Sequence, residues 1–129
     1  MISFRRIVAY ASRGLGALQI LLGLSFWTGN LNTLVPLHML IGLSITALLL
    51  MAAVLGARAG APTARVVLAF AWAALLVWLG YQQTTLLIGD LHWVVRVLHL
   101  AVGLAALAQI EGLVNPRRSP GRSSRAATP

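Results

Sequence analysis

No formal charge interrupts the chain from Gly14 to Leu34, and three further apolar stretches of similar length follow. A hydrocarbon layer about 30 Å thick is crossed by about 20 apolar residues in a helix rising about 1.5 Å per residue. The stretches predict four such helices: near Ile7 to Trp27, about Leu34 to Ala57, about Val66 to Gln82, and about Leu91 to Val114. Of the 129 residues, 59% are hydrophobic and 9% charged. Typical soluble domains are about a quarter charged, and a soluble chain of this size has too little interior to hide so much apolar surface.

Turn-forming residues separate the spans: Thr28-Gly29-Asn30 with Asn32, then Gly56 to Pro62, then Gln82 to Asp90 around Gly89. Connections this short favour antiparallel neighbours. The expected fold is therefore all-α, an integral membrane four-helix up-down bundle. The transmembrane domain occupies residues 1–115. Residues 116–129, rich in Arg, Ser and Pro, read as a disordered cytoplasmic tail.

The ten basic residues are all Arg and give a formal net charge of +8. They sit at the ends of apolar runs rather than on one surface, so a nucleic-acid reading fails. Arg5, Arg6 and Arg13 precede the first span, Arg58 and Arg65 bracket the second loop, and Arg117, Arg118, Arg122 and Arg125 follow the fourth. The first and third loops contain none. By the positive-inside rule both termini face the cytoplasm, and the expected location is a bacterial inner (plasma) membrane. A signal peptide would also begin with Arg and an apolar run. No small-residue cleavage site follows near Trp27, and the segment reads as a retained anchor.

The chain also looks like two similar helical hairpins. Val35-Pro-Leu-His38-Met-Leu-Ile-Gly42-Leu43 lines up with Arg96-Val-Leu-His99-Leu-Ala-Val-Gly103-Leu104, each at the start of an even-numbered span. The halves share one orientation, a parallel repeat. His38 stands 20 residues before Arg58 and His99 stands 18 before Arg117, roughly 30 Å and 27 Å from the cytoplasmic rim. Two imidazoles at one depth on helices running the same way are what bis-histidine ligation of a haem iron requires. Gly42 and Gly103 lie one turn below the histidines on the same faces. There they are expected to let a flat macrocycle approach the backbone, although small residues also serve simple helix packing.

Arg96 is the one Arg on the outer half. With His92 and His99 it forms a stripe at i, i+4 and i+7, which would set it, and His92, near haem propionates. The competing reading has Arg96 snorkel to headgroups or pair with Asp90. Lower in the bundle, Glu111 is expected to pair with Arg58, Arg65 or Arg13. Gln19 and Gln109 are expected to hydrogen-bond between helices.

His38, His99 and the glycines below them, within four similar spans, resemble small four-helix membrane b-type cytochromes. That resemblance implies one haem b near the outer face, electron transfer, and a quinol or redox protein as partner. The two-haem members need four ligand histidines, and this chain has three. Two alternatives remain: a non-catalytic accessory subunit of a larger membrane complex, and a small transporter. Four-helix drug exporters depend on a carboxylate in the first span, where this chain has only Gln19. The absence of Cys rules out thiolate metal sites and covalent haem attachment. No hydrolytic constellation is visible, and whether the protein is an enzyme stays open.

The lack of native Cys makes the topology testable. Asn30→Cys and Gly89→Cys should react with an impermeant thiol reagent outside sealed cells, whereas Ala61→Cys and Ala126→Cys should not. Labelling at position 61 would overturn the orientation.

Overall fold

The computed structural model describes residues 3–29 and 31–115. The expected disordered tail at 116–129 lies outside the described residues, as do its four Arg. Within the described residues the chain is all-helical. Helix α1 spans Phe4–Trp27, a 3-10 turn at Asn32–Leu34 leads into α2 at Val35–Arg58, α3 spans Thr63–Gln82, and α4 spans His92–Val114. All four are long and apolar enough to cross a membrane. They start within about three residues of the expected positions. The largest shifts put Arg5 and Arg6 on α1 and Arg65 on α3, since basic residues near a span's end need not leave the helix to reach water.

Each connection turns at a glycine with positive φ: Gly29 at 78°, Gly60 at 78° and Gly89 at 97°. Side chains with a Cβ rarely adopt that conformation. After the first of these turns, Pro36 sits in the opening turn of α2, where its missing N–H leaves no helix bond unmade.

Helices α2 and α4 each pack against all three others, while α1 and α3 lie across from one another. Small side chains make the tightest contacts. Ala52, Ala53, Ala69 and Ala106 are fully buried. A Cβ on Gly16 would stand 2.6 Å from Leu107 Cδ1, and one on Gly56 would stand 2.8 Å from Leu113 Cδ2. Large apolar side chains instead point outward on every helix, among them Leu21, Leu40, Val67 and Leu98. Such a surface suits contact with lipid, where helices associate by steric fit rather than by hiding apolar area.

Polar ties close one end of the bundle. The Arg5 guanidinium donates to the Leu55 carbonyl at 3.0 Å, joining the start of α1 to the end of α2. Arg13 grips Glu111 with two bonds, Nε to Oε1 at 2.6 Å and Nη2 to Oε2 at 3.0 Å. Asn115 donates to Glu111 as well. Of the three expected partners, Arg13 is the one that reaches Glu111, because α1 packs on α4. Further along, Trp72 Nε1 donates to the Val102 carbonyl at 2.9 Å, joining α3 to α4.

The Arg13–Glu111 pair is partly exposed, and water and salt screen exposed pairs so that they add little to stability. Glu111→Gln should therefore lower thermal stability in detergent only slightly, with the helical content intact. A collapse of the fold would mean that the carboxylate carries more than this pair.

Candidate functional site

Away from the Arg13–Glu111 end, the four helices do not close completely. A cleft of about 340 Å³ opens between them, bounded by residues from every helix. On α1 it runs from Trp27 to Gly16 and on α2 from Val35 to Thr46, roughly 16 Å along each axis. Its body is apolar, with Phe26, Leu76, Leu100 and Leu104 among the walls. Polar groups, Thr84, His92 and Arg96 among them, gather at its mouth.

His38 and His99 meet across this cleft. Their ring centroids are 6.3 Å apart with planes tilted by 44°. Helices α2 and α4 touch along their length, so residues at matched positions in the repeat come face to face. Phe26 stands edge-on to His38, centroids 5.3 Å apart, holding that ring from the α1 side. Each imidazole also rests against a glycine of the preceding helix. A Cβ on Gly23 would lie 3.6 Å from His38 Cε1, and one on Gly80 would lie 3.7 Å from His99 Cε1.

Gly42 and Gly103 both line the cleft, but neither backs a histidine ring. A Cβ on Gly42 would instead stand 3.1 Å from Gln19 Nε2, while Gly103 has nothing within 4 Å of its Cβ position. The cause is geometric: side chains four apart on one helix point the same way, whereas contact with a ring comes from the helix opposite. Leu22-Gly23 and Leu79-Gly80 carried the missed signal, a repeated pair with a buried Leu in the helix before each histidine.

The cleft concentrates unmet hydrogen-bonding capacity. Among the described residues, three buried side-chain polar atoms have no partner: His38 Nδ1, His99 Nδ1 and Gln19 Oε1. All three residues line the cleft. Gln19 thus makes no interhelical bond through its oxygen, contrary to expectation, and it is its Nε2 that lies beside Gly42. An unsatisfied buried polar group costs about 1–3 kcal/mol, and this cleft gathers three of them.

The remaining expected site residues sit at the mouth. Arg96 is exposed and His92 half-buried, and both border the cleft and the pocket next to it. Asp90 borders that pocket too, yet the ion pair among the described residues is Arg13–Glu111, so Arg96 keeps its charge uncommitted. His92 Nδ1 lies 3.3 Å from the Leu86 carbonyl. No group of three or more His, Cys, Asp or Glu forms a metal-ligand set among the described residues. A bare metal ion would find two imidazoles and no more.

Compared with models of known protein families, with curated proteins and with solved structures, the chain matches none.

The orphaned nitrogens give a test that needs no ligand. His38→Leu and His99→Leu should leave the ligand-free protein as stable as the parent or more stable, by up to about 1–3 kcal/mol, because each removes an unsatisfied polar atom. Chemical unfolding in detergent would measure it. Marked destabilisation would make the histidines structural.

Proposed function

We propose that this protein is a membrane-embedded b-type cytochrome holding one haem between His38 and His99. The observation that carries the reading is the pair of imidazoles, each with a buried and partnerless Nδ1, facing each other across an apolar cleft. A histidine nitrogen binds a metal at about 2.0–2.1 Å, so two imidazoles on opposite sides of one ion have ring centroids about 6 Å apart. The separation of 6.3 Å is of that size. A porphyrin brings four nitrogens of its own, which is why two histidines suffice where a bare ion would need more.

The surroundings suit the group. Gly23 and Gly80 keep the space beside each ring clear, and the apolar walls match the faces of a macrocycle. Arg96, with no ion pair, stands at the mouth where carboxylates pointing out of the cleft would end. When held by His38 and His99, haem would supply one-electron transfer. The chain's own part is to fix the imidazoles, exclude water from the cleft body, and place a cation beside the carboxylates.

The bundle runs up and down through the bilayer. Arg5, Arg13, Arg58 and Arg65 lie towards the cytoplasm, as the positive-inside rule requires, and the cleft opens on the outer face. Haem in that position exchanges electrons with donors and acceptors at the outer surface and does not carry them across the membrane alone.

A pyridine haemochrome assay on protein expressed with ample haem should give about one haem per chain. His38→Ala or His99→Ala should abolish the split Soret and α bands. Arg96→Leu should keep the haem but lower its potential, since a nearby cation favours the reduced, less positive iron. A stoichiometry near zero in a folded four-helix protein would leave an accessory-subunit role in its place.

A further inference from the structure

One helical turn below the histidine pair, toward the Arg13–Glu111 end, three cleft residues share a level. Gln19 stands four residues from Gly23, Gly42 four from His38 and Gly103 four from His99, each roughly 6 Å along its helix. All three line the cleft. The two glycines leave space at this level: a Cβ on Gly103 would meet nothing within 4 Å, and one on Gly42 would meet only Gln19 Nε2. Further down, Gly16 packs on Leu107 with no room for another carbon, which gives the space a floor. Leu24, Leu43 and Leu104 also line the cleft and are nearly half exposed, so its wall is open in part to lipid.

The carboxamide of Gln19 is what this space has to answer. Its Oε1 is buried and without a partner. The Thr46 hydroxyl, one turn below Gly42, donates to the Gly42 carbonyl at 3.0 Å, so its proton is committed to its own helix. A carboxamide oxygen needs a donor and its NH2 an acceptor, and hydrocarbon supplies neither. The terminal torsion of a glutamine is soft, so either atom can turn toward the cleft. A buried water is held by two to four polar partners, whereas this level offers one carboxamide among apolar walls. The complement is a molecule that is apolar along its length and carries one group able both to donate and to accept. A hydroxyl is that group.

We infer that the inner cleft binds an alcohol with a long apolar chain, its hydroxyl on the Gln19 carboxamide at the level of Gly42 and Gly103. The hydroxyl donates to Oε1 or accepts from Nε2. The chain lies along Leu43 and Leu104 and leaves between the helices into lipid. This site rests on the bilayer reading above and not on the haem assignment, since none of its contacts is to His38 or His99. It also gives Gly42 and Gly103 a task that backing the histidine rings does not: each withholds a side chain where the ligand's first carbons lie.

The test titrates the full chain, in lipid nanodiscs without added haem, with tritiated farnesol. The competitor is farnesene, a hydrocarbon of the same chain length without the hydroxyl. Farnesol should bind saturably above its partition into protein-free nanodiscs. Farnesene at equal mole fraction in the bilayer should compete several-fold to about tenfold less well, the factor that one hydrogen bond contributes. Gln19→Leu should erase that preference while farnesene still competes. Gly103→Leu, which fills the space, should abolish binding of both with helical content and thermal unfolding unchanged. No saturable farnesol binding, equal competition by farnesene in the parent, or a preference that survives Gln19→Leu overturns the site. Haem uptake is assayed separately: protein that takes up haem but binds no farnesol leaves the cytochrome standing, and farnesol binding without haem uptake leaves the alcohol site standing.

Discussion

Ala52, Ala53, Ala69 and Ala106 are wholly enclosed, while Leu21, Leu40 and Val67 stand more than half exposed. Leu49, Leu79 and Ile110 are enclosed beside those alanines, so the interior mixes small and large side chains. Where the surroundings are as apolar as the interior, burying a large Leu gains little, and contact depends on how closely two backbones can approach. Gly16 against Leu107 and Gly56 against Leu113 are such approaches, with no room for another carbon. Helices α2 and α4 each touch every other helix, and what they bear in common is brought together.

The cleft follows from the same principle used in the opposite sense. At Gly23, Gly80 and Gly103 the missing side chain is not filled by a neighbour, so glycine leaves space instead of closing it. The chain tolerates three partnerless polar atoms in that space while satisfying its polar groups at the other end, where Arg5, Arg13, Glu111 and Asn115 pair off. One end of the bundle is tied by charge-assisted bonds; the other is held by aromatic and apolar contacts around an opening.

Much of this was legible in the order of residues. Four spans and their glycine turns follow from run length and turn chemistry, which act locally and need no knowledge of what packs on what. The shared His-x-x-x-Gly pattern pointed to His38 and His99, since a repeat places equivalent residues at equivalent heights. A pairing for Glu111 was also foreseeable, because rim Arg are plentiful and a lone carboxylate near them finds one. Which Arg it meets was open until α1 was seen to pack on α4.

What the sequence alone determined, then, is the number of helices, their apolar surface and the height of each chemistry-bearing side chain along its own helix. The rotation of each helix about its axis belongs to the tertiary structure. That rotation set Gly23 and Gly80 against the imidazoles, brought Gln19 Nε2 beside Gly42, and left Arg96 without an ion pair to Asp90. Residues on one helix are related by a fixed angle and rise, so their relations can be counted. Residues on different helices are related only through packing, and nearly uniform apolar spans leave that choice to small differences in side-chain volume spread over the whole bundle.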